Sequence, residues 1–328
     1  MKGNAIEALQ SRLTPAFKHQ GCKRNFLAVS NEHRWRQQAF RSDLSRFSSS
    51  SAFDRVIRMK SSIIFLFILL ALPTASLSKD ESAQVPGKTY ELVFPEIFPT
   101  LFTLATGEER VAKLLYRLPD NFSPEKKYPV FVFLTGGTGE GMENGGLGRA
   151  VKITGGKDYI TATLPLFRRG EELEKEELFE GLLIGVDDYP VISKSYRTML
   201  NRFFEAVPNA QRTGNFMGGF SNGAHTTASL VSGQDETVLK HFQHFILADG
   251  GIWMSNLQRH RMKDCSFLGL YGDTDNYWTR PVIMQQFQTM KMTADALEVS
   301  FELIEMKGVG HKFPAEYDDD VLGWMKKQ

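Results

Sequence analysis

The sequence predicts an α/β protein built on a doubly wound, mostly parallel sheet, and three observations carry that expectation. Five runs, at residues 130–134, 159–164, 181–186, 242–248 and 266–271, are apolar at consecutive rather than alternate positions, which is how a strand buried on both faces reads. Segments of helix length separate those runs, so β and α alternate along the chain. A glycine-flanked serine follows one further strand-like segment, residues 216–220, and opens a helix-compatible run at 222–231.

The folded domain is expected to begin late. Met59 is followed by Lys60, two serines, an apolar run from Ile63 to Leu72, then Pro73 and the small residues Thr74, Ala75, Ser76 and Ser78. That order is the layout of a secretory signal, with a cut after Ser78, and the run is far short of the roughly 20 residues that cross a bilayer. Residues 59–78 are therefore read as a signal peptide rather than an uncleaved anchor, and the protein as exported, with no stable membrane span after cleavage. Residues 1–58 carry eleven Lys or Arg against four acids and show no sustained apolar period. They are expected to lie outside the mature protein, as an extension read from an early start or as an organelle-targeting segment.

Charge follows from that division. The whole chain is +1, residues 1–58 carry +7 and residues 59–78 carry +1, which leaves −7 for residues 79–328. A domain of that sign gives nucleic acid no electrostatic footprint. Cys22 falls in the extension, so Cys265 stands alone in the domain, excludes an intrachain disulfide and reads as a small buried hydrophobe. A domain of about 250 residues buries enough surface to fold without such a staple.

Residues 92–94 and 111–118, separated by the turn signal Ala105-Thr106-Gly107-Glu108-Glu109, read as an antiparallel entry to the sheet. Residues 195–207 place Tyr196, Met199, Leu200, Phe203 and Phe204 at helical spacing, and Pro208 ends the helix. Further helices are expected over 280–296 and 315–327. The latter opens on Glu316, Asp318, Asp319 and Asp320 and ends on Lys326 and Lys327, the order the helix dipole favours, so the acidic run reads as a helix start and not a metal site. The charged segment 168–180 reads as a solvated helix or rim. A single domain without a large cap is the expectation.

The chemistry centres on Gly219-Phe220-Ser221-Asn222-Gly223. A nucleophile on so sharp a strand-to-helix turn sits in strained backbone geometry, and its neighbours two positions away must be small for strand and helix to approach. An acid and then a histidine follow in the chain order this arrangement requires, each past a strand. His311 lies in Gly308-Val309-Gly310-His311, after the alternating run 297–306, and is the expected general base. Asp273 and Asp275 both follow the run 266–271; Asp275 is taken as the acid and Asp273 as a turn cap, with Asp249, after the run ending at Ala248, as an outside candidate. Backbone N–H groups of Asn222 and of Gly137, in Leu134-Thr135-Gly136-Gly137-Thr138-Gly139, are the expected oxyanion donors. Thr138, Trp253 and Trp278 are candidate pocket residues, with core or rim packing equally open for the two tryptophans. His241 and His244 are spaced as on a short helix but lack a third ligand nearby, so no metal is expected, and no cofactor motif is present. His225, one turn after Ser221, reads as a packing residue or a solvent-facing one.

Together the strand-Gly-Gly loop, Gly-Phe-Ser-Asn-Gly, Gly-Asp-Thr-Asp and Gly-Val-Gly-His resemble the α/β-hydrolase superfamily over residues 116–328. Within it the chain is similar to compact secreted esterases of the feruloyl esterase and polyhydroxyalkanoate depolymerase kind, and to the phospholipase/carboxylesterase group. The resemblance implies a carboxylic-ester hydrolase acting through Ser221, Asp275 and His311 on a small-molecule or polymer-linked ester. Many relatives have His-Gly where this chain has Thr135-Gly136, a departure that bears on how the loop packs and on substrate choice. A serine peptidase of the same fold and a non-catalytic binding protein on a degenerate scaffold are the alternatives.

Overall fold

A computed structural model describes residues 84–97, 111–137, 141–167, 189–233, 235–251, 262, 264–274 and 280–328. The expected signal, the extension before it, the turn 105–109, the charged segment 168–180 and the expected strand 181–186 lie outside the described residues.

Eight strands form one open sheet: β1 (Thr89–Phe94), β2 (Ala112–Arg117), β3 (Val130–Leu134), β4 (Ile160–Thr163), β5 (Asn215–Phe220), β6 (Phe242–Ala248), β7 (Ser266–Gly272) and β8 (Ser300–Met306). Their order is β1-β2-β4-β3-β5-β6-β7-β8. β1 and β2 enter antiparallel, as the turn signal between them implied, and β2 meets β4 antiparallel; every pair from β4 to β8 is parallel. The doubly wound, mostly parallel sheet is thus as the apolar runs foretold.

Burial on both faces explains why those runs do not alternate. In β3, Val130, Val132 and Leu134 join the core beneath one set of helices, while Phe131 and Phe133 join the core on the opposite face. The first core takes side chains from α2 (Tyr189–Ala206), α3 (Asn222–Ser232), α4 (Glu236–His241) and α5 (Arg280–Ala296). The second takes Ala150 and Ile153 of α1 (Gly148–Thr154) and Val321, Trp324 and Met325 of α6 (Asp318–Met325). Tyr196, Met199, Leu200, Phe203 and Phe204 are all buried, as their spacing predicts. α2 begins at Tyr189, before the expected start, and the C-terminal helix opens with a 3-10 turn, Ala315–Tyr317, before α6. β8 starts at Ser300 and not at 297, because Glu298 takes φ 58° and turns the chain out of α5. Among the described residues no helix is long and apolar enough to cross a membrane.

The chain runs from β3 outward to β4, then crosses back to β5 and proceeds the other way through β6, β7 and β8. The strand order therefore reverses between β3 and β5, and the crevice beyond their carboxyl ends is where ligands of open α/β sheets bind. At the amino ends Asn215 ties the same strands together. Its Oδ1 accepts from Val130 N–H at 2.8 Å and its Nδ2 donates to Gln211 O at 3.0 Å and His241 O at 2.9 Å, all from a fully buried side chain. Asn215→Ala strands one donor and two acceptors, and is expected to lower stability by about 3 kcal/mol in urea unfolding; a loss below about 1 kcal/mol would show that water or relaxation satisfies them.

Candidate active site

Ser221 stands between β5 and α3 with φ 52° and ψ −118°, a backbone region that a residue with a side chain adopts only under constraint. The constraint is visible on both sides. Ser221 N–H donates to Ala248 O of β6 at 2.8 Å, and Ser221 O accepts from His225 N–H at 2.9 Å. The helix packs so close to the strand that a Cβ on Gly219 would lie 2.6 Å from Gly223 O, and one on Gly223 would lie 2.5 Å from Thr135 O. Neither position has room for a side chain, which is the steric demand read from the sequence motif.

His311 reaches this serine from the loop after β8. Its Nε2 lies 2.9 Å from Ser221 Oγ, so a neutral imidazole protonated on Nδ1 accepts the serine O–H. The loop is built to hold it there. Asp273 Oδ1 accepts from Gly308 N–H at 2.6 Å, Thr274 N–H donates to Val309 O at 2.9 Å, and the Phe220 ring lies 5.0 Å from the imidazole. Asp273 thus ties the turn after β8, whereas the sequence predicts a cap for its own turn after β7. Two residues past the histidine, Phe313 stacks under the Arg149 guanidinium at 4.1 Å, and Arg149 also donates to Pro314 O at 3.0 Å and pairs with Asp318 at 2.5 Å. The helix after β3 is thereby fastened to the histidine loop. Nothing in the sequence marks Arg149 for that role, since its three partners lie more than 160 positions away.

The loop after β3 lies over the nucleophile: a Cβ on Gly136 would be 3.3 Å from Ser221 Cβ. Asn222 Nδ2 donates to Gly137 O at 2.8 Å and bridges the two segments expected to supply oxyanion donors. The Asn222 N–H, among the first of α3, has no intrahelical acceptor and lies at the positive end of the helix dipole. Sequence reasoning placed the backbone of Asn222 and Gly137 here but missed the side-chain bridge, which depends on the fold bringing residues 85 positions apart together.

Asp275, Thr138, Trp253 and Trp278 lie outside the described residues. Asp249 lies inside them. Its Oδ2 is 3.9 Å from His311 Nδ1, its side chain is fully buried, and its Oδ1 accepts from Gly272 N–H at 2.8 Å. The structure thus brings this outside candidate beside the histidine.

The other described histidines have structural partners. His241 ends α4, with Nδ1 2.7 Å from Arg212 O and its ring stacked on Phe204. His244 belongs to β6, with Nδ1 2.8 Å from Ser266 Oγ. The short helix expected to carry both stops between them, because the chain enters the sheet at Phe242. His225 is buried, and its Nδ1 accepts from Gly251 N–H at 3.1 Å, so Nε2 carries the proton of the neutral ring. Cys265 is buried as expected, and burial, with Asp264 adding to it, pushes its thiol up to about 12.

No family model matches the chain, and no curated protein does. Solved structures do. One is a protein of Bacteroides ovatus classed as a dipeptidyl aminopeptidase IV, 17% identical with a TM-score of 0.52, where the match covers 76% of this chain and 37% of that one. Others are a thermostable esterase, 16% identical over 73% of this chain and 63% of that one with a TM-score of 0.48, and an S-formylglutathione hydrolase of Agrobacterium tumefaciens, 12% identical over 74% and 95% with a TM-score of 0.48. The chain spans little more than a third of the length of the first. The likeness to it, with the strand order and the placement of Ser221, shows the α/β-hydrolase fold.

Burial, and to a lesser extent the charge on His311, lower the His225 pKa to about 4 from the ordinary 6.5. Between those values the unfolded chain takes up a proton at this position and the folded chain resists it, so stability falls as pH drops through the window. From pH 7 to pH 5 the expected loss from His225 is about 2 kcal/mol. Urea unfolding at the two pH values should show the wild type losing that much more than His225→Gln; parallel losses would mean that the folded ring protonates freely.

Proposed function

We propose that this chain is a serine hydrolase that cleaves carboxylic esters through an acyl-enzyme. The observation that carries the reading is the 2.9 Å approach of His311 Nε2 to the Oγ of a serine held at φ 52° beyond the central strand. In this reaction Ser221 Oγ attacks the ester carbonyl as its proton passes to His311 Nε2. The negative charge that develops on the carbonyl oxygen is received by the backbone N–H groups of Asn222 and Gly137. The imidazolium then gives its proton to the departing alkoxide, and a water activated by the same histidine releases the acid and restores Ser221.

The acid that follows β7 in this reading is Asp275, orienting the imidazole through Nδ1. Thr138, Trp253 and Trp278 are assigned to the pocket wall. An ester substrate suits the arrangement because an alcohol leaves with less assistance than an amine, and a small activated ester tests the machinery whatever the natural acyl group. Export through residues 59–78 belongs to the same proposal, supported by the signal-like order of that segment.

Wild-type protein is expected to react with a fluorophosphonate probe and to hydrolyse p-nitrophenyl acetate, with Ser221→Ala abolishing labelling and lowering kcat by roughly 10⁴-fold or more. Equal labelling and equal turnover by the two proteins would refute the assignment.

A further inference from the structure

We propose that Asp249, on the turn after β6, is a positioning carboxylate for His311, acting on the imidazole from a different strand end than the acid expected after β7; this rests on the serine-hydrolase reading above. Four features of the structure carry it. Asp249 Oδ2 lies 3.9 Å from His311 Nδ1, the nitrogen opposite the one that faces Ser221. That distance suits an ion pair and is longer than a hydrogen bond, so a small closing movement as the imidazole gains its proton converts one into the other.

The carboxyl group is also fully buried, whereas acids are found in such places chiefly when a partner or a function holds them. Its backbone takes φ 44°, a second constrained non-glycine residue one strand over from Ser221. The turn is fixed on every side: Asp249 N–H donates to Leu270 O at 2.8 Å, Oδ1 accepts from Gly272 N–H at 2.8 Å, and the Gly250 backbone packs against the Ser221 carbonyl. Constraint of this kind aims one carboxylate oxygen rather than filling space.

His225 completes the argument. It anchors the same turn by accepting the Gly251 N–H, and its burial disfavours the charged form of its ring. The imidazolium formed at His311 during acyl transfer is a cation within ion-pair reach of Asp249. The carboxylate stabilises that charge as it appears. The two strand ends are in register, with Ala248 of β6 paired to Leu270 of β7, so the turn after β6 leaves the sheet on the edge from which β7 also ends.

The test compares wild type, Asp249→Asn and Asp275→Asn in steady-state hydrolysis of p-nitrophenyl acetate, with urea unfolding in parallel. Asn keeps an oxygen for the Gly272 N–H and removes the charge. The expectation for Asp249→Asn is a fall in kcat of about tenfold or more with KM within about twofold and an unchanged unfolding midpoint. A kcat within twofold of wild type overturns the proposal and leaves Ser221 and His311 standing. A wild type that neither hydrolyses the ester nor takes the fluorophosphonate overturns the underlying function as well. A second measurement needs no substitution: in a crystal structure of the phosphonylated wild type, Asp249 Oδ2 should lie within about 3.2 Å of His311 Nδ1. An Asp249 that remains at or beyond its present separation in that adduct contradicts the proposal.

Discussion

The site depends on one steric constraint: the reversal from β5 into α3 at Ser221 has no space for a side chain at Gly219 or Gly223. A helix brought that close to its own strand forces the serine into a backbone state that costs on the order of 1–3 kcal/mol. Hydrogen bonds from Ser221 N–H to β6 and from the first turn of α3 to Ser221 O offset part of that cost, and the two cores packed on the sheet hold the rest. The same reversal leaves the hydroxyl beyond the sheet, the Asn222 N–H at the helix start and the Asn222 side chain against the loop after β3.

Parallel register carries that constraint to the other elements. Because β5, β6, β7 and β8 run the same way with their carboxyl ends aligned, the loops bearing Ser221, Asp249, Asp273 and His311 emerge together. Each loop is then tied to its neighbour: Ser221 N–H to β6, Gly272 N–H to Asp249, Gly308 N–H to Asp273 and Arg149 to the segment after His311. The histidine is therefore positioned by a chain of local bonds across the strand ends, and the Arg149–Asp318 pair with the stacked Phe313 closes that chain on the far side.

Much of this was legible in the sequence because it is written in local pattern. Consecutive apolar residues such as those of β3 betray a strand with two buried faces, and the glycines about Ser221 betray the turn itself. His311 on a glycine-flanked loop follows from its position past a strand end. What was not legible depends on distant chain segments meeting. The Asn222 bridge to Gly137, the Arg149 clamp and the burial of His225 against Gly251 have no local signature. Asp249 was weighed only as one strand-end acid among three, since sequence order favours a carboxylate after β7 and says nothing of a 3.9 Å approach from the turn after β6. The helix assigned to both His241 and His244 failed because a spacing of three residues does not reveal that a strand begins between them.

The central claim is that Ser221 forms a covalent acyl-enzyme with the help of His311. Rapid acid quenching of the wild-type protein during turnover of p-nitrophenyl acetate, followed by peptide mass spectrometry, tests it most directly. An acetyl group on the peptide that contains Ser221, located on the serine and absent from His311→Ala, is the result this account predicts. Turnover with no acetylated peptide, or with the acetyl group on another residue, would contradict it.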